Sequence, residues 1–349
     1  MIRKIISKFL LLSALLFTFP TWASPEEAKE DENITEFIMH HIADAHDYHL
    51  WGNVSIPLPI ILWTNEGLVT FMSSEFHHDD EGKVILKKGN QEFAKIHGQI
   101  YYANGGIHYD DAHKIQNTRP LDFSITKNVV VLMLTATLIF LIFVCVARSY
   151  KKSEKIQAPK GFANLMESLV LFVRDDIAIP NIGSHKYEKY MPYLLTVFFL
   201  ILTGNLLGLV PIISGTLTND IIFTGTLALA TFLITTFSGN KHYWKHIFAT
   251  PGVPAWLMPI MIPVELIGMF TKPFSLMIRL FANITAGHII IMSLIGLIFI
   301  FKSVYISLVS VPMALFINVL ELLVAFIQAY VFTLLSALFI GGAVAEEHH

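Results

Sequence analysis

Two apolar segments limit what this chain can become. One runs from 254 to 301 and the other from 303 to 344, with Lys302 between them. A helix crosses a bilayer core with about 20 apolar residues, so each segment is roughly twice the length of one crossing. Helices that long must tilt, bend or bury themselves against protein. The first also holds Arg279 between Leu276, Met277, Ile278 and Leu280, Phe281. A guanidinium stays charged at any usable pH, and at bilayer depth it costs several kcal/mol. Such a residue needs a partner or a task.

The rest of the chain fits a membrane setting. Of 349 residues, 54% are hydrophobic and 15% charged, outside the range of a soluble globular domain. A net charge of −3 gives no basis for nucleic-acid binding. The single cysteine, Cys145, excludes an intramolecular disulfide and any multi-cysteine metal set; it reads as a small packing residue.

Residues 1–23 read as a signal peptide. Arg3, Lys4 and Lys8 form a basic start, Phe9 to Phe17 a short apolar core, and Thr21-Trp22-Ala23 a cleavage site. The competing reading is an uncleaved anchor, for which the core is too short. Residues 24–125 form a polar extracytoplasmic region, expected to contain β-structure. Ile56–Trp63 and Leu68–Phe71 flank a hairpin turn at Thr64-Asn65-Glu66-Gly67, and Lys83–Leu86 and Gln99–Tyr102 read as short strands. About 100 residues are marginal for an independent core. Among His40, His41, Asp44, His46, Asp47 and His49, a helix would put His41, Asp44 and His49 on one side, a set open to Zn²⁺ or Cu²⁺, but the spacing matches no specific metal motif and the segment reads otherwise as a solvated polar helix. His77-His78-Asp79-Asp80 reads as an exposed turn.

The fold class expected for 126–349 is an all-α polytopic membrane domain with five crossings. The spans are placed at 128–147, 191–213, 221–238, 254–301 and 303–344, with an amphipathic surface helix at 160–179. Arg148, Lys151, Lys152 and Lys155 after the first span, and Lys241 and Lys245 after the third, mark the cytoplasmic side. That leaves the mature N-terminus outside and the C-terminus in the cytoplasm. No internal repeat is evident, which counts against a transporter built on inverted repeats.

On a helical wheel centred on Arg279, Ser275, Asn283, Lys272 and Glu265 fall within about 40° and form a polar stripe, while His288 falls about 180° away. Glu265 and Lys272 either extend that stripe or mark the cytoplasmic helix end. In the last segment, Glu321 and Gln328 share a face, with Asn318 one turn from Glu321. In an antiparallel hairpin turning at Lys302, His288 comes level with Glu321, and Arg279 with Gln328. A buried histidine–carboxylate pair suits proton relay. A permanent cation suits attraction of a partner's carboxylate and blocking of direct proton flow. Asn205, Asn283, Ser275 and Asn318, taken singly, also serve as helix–helix contacts. No nucleophile–base set, phosphate loop or metal site accompanies them, and no cofactor is expected.

At these residues the sequence resembles subunit a of the F-type ATP synthase membrane sector. The resemblance rests on Pro263-Val264-Glu265, Lys272-Pro273-Phe274-Ser275-Leu276, Arg279-Leu280-Phe281-Ala282-Asn283-Ile284-Thr285-Ala286-Gly287-His288, Gln328-Ala329-Tyr330-Val331-Phe332 and Gly204-Asn205-Leu206-Leu207-Gly208-Leu209-Val210-Pro211. It covers roughly 125–345. It implies a stator channel of two offset half-channels beside a rotating ring of c subunits, in the cell inner membrane, partnered also by stator b subunits and the rest of the synthase, with ATP chemistry on other subunits. Arg279 matches the arginine facing the ring carboxylate, and Asn283, Ser275 and Gln328 match polar residues near it. His288 and Glu321 match two titratable positions of the outer half-channel, in exchanged order relative to many members. Gly208 stands where some members carry an aspartate and is assigned no proton-transfer role. The resemblance does not extend over 24–125. Two other classes remain: an independent proton-coupled transporter, which the one-sided arginine stripe disfavours, and a structural scaffold, which needs neither Arg279 nor the His–Glu pair.

Overall fold

The computed structural model describes residues 44–51, 54–77, 79–103, 105–110, 115–152, 161–210, 217–248, 254–301 and 304–345. The signal-peptide segment, His40, His41, His78 and the Lys302–Ser303 turn lie outside these residues.

Among the described residues between 47 and 122, the chain forms eight short strands in three small antiparallel sheets. β1 (Asp47–Trp51) pairs with β2 (Val54–Pro57). β3 (Pro59–Thr64) lies between β4 (Gly67–Met72) and β8 (Leu121–Asp122), and β6 (Gln91–Ile96) between β5 (Glu81–Lys88) and β7 (Gln99–Tyr102). The period-2 rule explains the core: Ile60 and Leu62 point inward from β3 and meet Phe71, Phe76, Phe93 and Ile100. At the β3–β4 turn Gly67 sits at φ +117°, where a side chain would be strained, and its carbonyl accepts from the Thr64 hydroxyl.

The expected helix through His46 and His49 is not formed. Asp47–Trp51 is strand β1, and His46 is buried, its Nε2 2.9 Å from Asp122 Oδ2. The partner stands 76 residues away in sequence, so the local pattern could not show it.

Among the described residues, five helices are long and apolar enough to cross a membrane. They are α1 (Lys127–Lys152), α4 (Tyr187–Gly208), α5 (Ile221–Ser238), α7 (Met258–Phe301) and α8 (Val304–Val344). Between the first two lie α2 (Phe162–Phe172), a π-helical stretch (Val173–Ala178) and α3 (Ile179–Ile182). α6 (Lys241–Phe248) follows α5. The second span therefore starts at Tyr187 rather than 191 and ends in helix at Gly208. The segment expected on the surface is not wholly peripheral: Val173, Ile177, Ala178 and Ile182 join the bundle core.

That core is built by Leu194, Val197, Phe198 and Ile201 of α4, Leu276 and Leu280 of α7, and Ala329, Phe332, Ala337 and Ile340 of α8. Small residues allow close approach where hydrophobic driving force between helices is weak. A Cβ on Gly341 would overlap the Asn181 carbonyl. At the end of α8, Lys186 Nζ and Asn240 Nδ2 each donate to the Val344 carbonyl at 2.9 Å, satisfying acceptors that helix geometry leaves open.

The β-rich region is seated on one end of the bundle. Tyr48 and Leu58 pack with Val131 of α1 and Leu217 before α5. The Lys127 N–H donates to the Ala45 carbonyl at 2.9 Å, tying strand region to helix start.

Candidate functional site

α7 and α8 lie antiparallel. At 44 and 41 residues they are about 66 and 62 Å long at 1.5 Å per residue, far beyond a bilayer core of about 30 Å. Pro263 and Pro273 lie within α7 and Pro312 within α8. Strong tilt follows, and it spreads the polar groups of both helices across the depth of the membrane.

The structure brings His288 and Glu321 together: Nδ1 lies 3.2 Å from Oε1. Glu321 is buried, and its other oxygen, Oε2, has no hydrogen-bond partner. Gly287 makes this contact possible. A Cβ there would collide with Glu321 Oε1 and stand 3.0 Å from its Cδ and 3.1 Å from its Cγ. A glycine beside a histidine in an apolar helix gives no such signal in sequence; the requirement comes from the facing helix.

One step along the hairpin, Asn283 donates through Nδ2 to Gln328 Oε1 at 3.0 Å. The simple hairpin estimate put Arg279 level with Gln328. The packed register puts Asn283 there instead, and Arg279 lies one further turn, about 6 Å, towards the start of α7. Gln328 is buried.

Arg279 is exposed and faces a groove of about 440 Å³. Ser275, Lys272, Thr271 and Gly268 line it from α7, and Phe339 from α8. Ser275 and Lys272 are exposed like Arg279, and Lys272 Nζ lies 5.7 Å from the Phe339 ring centre. Among the described residues no carboxylate pairs with Arg279. Thr271, Gly268 and Phe339 carry no sequence signal for this role: a helical wheel weights charged and amide groups and cannot show an aromatic on a facing helix.

Glu265 does not line the groove. It stands near Tyr243 of α6, whose hydroxyl is raised above its ordinary value by burial first and by the Glu265 carboxylate second. Asn318 is exposed. Asn205 is buried in α4, its Oδ1 accepting from the Thr218 hydroxyl at 2.7 Å, while Nδ2 lacks a partner.

The helical hairpin thus holds half-buried His288 against buried Glu321 at one level and, at another, an arginine in an open groove that no carboxylate among the described residues pairs with, an arrangement suited to an intramembrane ion path. The family model described as "ATP synthase A chain" matches residues 129–341. Among similar proteins, ATP synthase subunit a of Chloroherpeton thalassium is 56% identical over 233 residues, 65% of this chain and 69% of the relative. ATP synthase subunit a 2 of Chlorobium luteolum is 51% identical over 278 residues, 77% and 78% of the two chains. ATP synthase subunit a of Myxococcus xanthus is 50% identical over 236 residues, 66% and 76%. The chain belongs to the ATP synthase A chain family, the proton-translocating subunit a of the F-type ATP synthase. It is a multi-pass membrane protein and a component of that complex's membrane sector. A second model, "Domain of unknown function (DUF8433)", matches 37–123, the region carrying the strands.

Proposed function

We propose that this chain conducts protons through two offset half-channels beside the ring of c subunits, and that Arg279 is the barrier between them. The lone guanidinium carries the reading. It is exposed on a membrane helix and no carboxylate among the described residues pairs with it, which supports a counter-charge supplied by another chain. A ring carboxylate passing across the exposed face of α7 supplies it, and the fixed charge holds that carboxylate ionised and excludes a direct proton leak.

His288 and Glu321 form the relay of the outer half-channel, with Gly287 setting their contact. Asn283 and Gln328 fix the hairpin register between relay and barrier. The groove along Ser275, Lys272 and Thr271 is the inner access route, and Asn205, Glu265 and Asn318 are supporting polar groups. The subunit itself makes and breaks no bond of ATP. Basic residues after the first and third spans support an outside β-rich region and a cytoplasmic C-terminus in the cell inner membrane. The remaining exposed apolar helix faces suit lipid and the stator b subunits.

Arg279→Ala is expected to abolish ATP-driven proton pumping while the subunit stays in the complex. Pumping at the wild-type rate would overturn this reading.

A further inference from the structure

The relay and the barrier leave a line of polar groups unused at one end of the bundle. Thr285 stands one turn before His288 on α7, and its hydroxyl donates to Asn219 Oδ1 at 3.4 Å. Asp220 follows Asn219 and caps α5, Oδ1 accepting from the Ile222 N–H at 2.8 Å. Its other oxygen, Oδ2, accepts from Asn128 Nδ2 of α1 at 3.4 Å. The Asn128 backbone N–H donates to Asp44 Oδ1 at 3.1 Å. Asp44 stands just before β1, at the edge of the β-rich region. The line thus joins that region to α1, α5 and α7, and ends one turn from the His288–Glu321 pair.

Two further observations separate this line from ordinary helix capping. Asp44, Asn128, Asn219, Asp220 and Thr285 are all half-buried, neither sealed in a core nor free on a surface. Next to them, Thr218 holds the Oδ1 of Asn205, an amide 1% exposed whose Nδ2 has no partner. A buried, unpaired N–H in a polar setting is where an ordered water belongs. Lys127, buried on α1, is electrostatically coupled to Asp44, and His46, two residues after Asp44, pairs with Asp122.

We propose that the β-rich region forms the outer mouth of the proton path, and that Asp220, held by Asn128 and backed by Asp44, is its entry carboxylate. This rests on the half-channel reading above and adds to it a residue set partly contributed by the extra region. A proton bound at Asp220 leaves again, through water and the Thr285 hydroxyl, towards His288–Glu321. O–H bonds form and break along the way, an N–H bond forms and breaks where the proton passes over the His288 ring, and no other species is consumed. Carboxylates at the mouth of a path also draw cations inward and raise their rate of capture.

The test uses the whole synthase in proteoliposomes, with the β-rich region facing the lumen and ATP synthesis driven by an acid lumen. Asp220→Asn keeps a good helix cap but removes the titrating group. Its synthesis rate should fall about tenfold at low lumenal buffer, the low end of what a charged mouth contributes to capture. Raising the concentration of a small lumenal buffer, or restoring the acid as Asp220→Glu, should recover most of it. Asp44→Asn should show a smaller loss of the same kind. A wild-type rate at every buffer concentration, or a loss that buffer does not relieve, would overturn the proposal. Should Asp220→Asn fail to assemble, Asn128→Ala is read in the same assay by the same criterion. Arg279→Ala in parallel separates the two readings: if it abolishes coupling while the Asp220 variant behaves as wild type, only the entrance falls.

Discussion

Gly287→Ala is the most discriminating single change in the site. By helix propensity alone it should help, because alanine is better than glycine inside a helix by about 0.5–1 kcal/mol. The geometry says otherwise for function. The new methyl would occupy the space of Glu321 Oε1 and crowd its Cδ and Cγ, at 3.0 and 3.1 Å. The carboxylate is the free end of a side chain, so it can swing away without moving either helix. Doing so breaks the 3.2 Å contact with His288. A hydrogen bond to a charged group contributes about 1.5–3 kcal/mol, which at about 1.4 kcal/mol per tenfold is a loss of roughly ten- to a hundredfold in a step that needs the pair. The lost contact outweighs the propensity gain, so the variant should still assemble, with stability lowered by about 0.5–2.5 kcal/mol, yet synthesise ATP at a small fraction of the parent's rate at equal proton-motive force. Gly342→Ala is the control, since a Cβ there meets nothing within 4 Å and should leave the rate unchanged. Wild-type synthesis by the Gly287 variant would refute the claim that this contact carries protons.

Other outcomes follow from the same coordinates. Exchanging the pair, as His288→Glu with Glu321→His, should retain more proton pumping than either residue changed to alanine; equal loss in all three would argue against coupling between them. Gly341→Val forces side-chain atoms into the Asn181 backbone, which cannot rotate aside, so the purified complex should lose about 1–3 kcal/mol of stability, and an unshifted thermal transition would contradict this. For Asp122, burial alone would raise the carboxyl, but hydrogen bonds from His46 and Ser124 outweigh it and hold it below the ordinary carboxylate range. A depressed acid stabilises above its unfolded value, and the contribution is lost as pH falls through the folded value. Limited proteolysis of the β-rich region should thus quicken on acidification, and Asp122→Asn should be cut faster at neutral pH with a flatter acid response; an unchanged profile would remove Asp122 from the docking of that region.

The membrane architecture was readable because apolar length is a sufficient signal: α1, α5, α7 and α8 follow the hydrophobic runs closely. What the sequence could not supply was facing geometry. Gln328 was set opposite Arg279 by counting from the Lys302 turn, but packing places it against Asn283. Leu280 and Phe332 fill the core between the helices at this level, and a turn-based count contains no such packing. The histidines before β1 misled for a related reason. Their spacing suited an exposed helix, yet His46 is held by Asp122, which comes close only after β8 pairs with β3. Gly287 and Thr285 carry no role legible in sequence, because each matters through a residue on another element.

The separation of relay and barrier is a consequence of helix geometry as much as of residue choice. Nine residues turn His288 about 180° from Arg279 and raise it about 13.5 Å. A strongly tilted α7 converts that rise into lateral offset as well as depth. His288 then meets Glu321 of α8, while Arg279 opens on the groove, where among the described residues no carboxylate pairs with it. A shorter or upright helix would stack the two groups on one route, and an always-charged arginine there would simply obstruct it. The unusual length of α7 and α8 therefore permits two access routes to share one hairpin without joining.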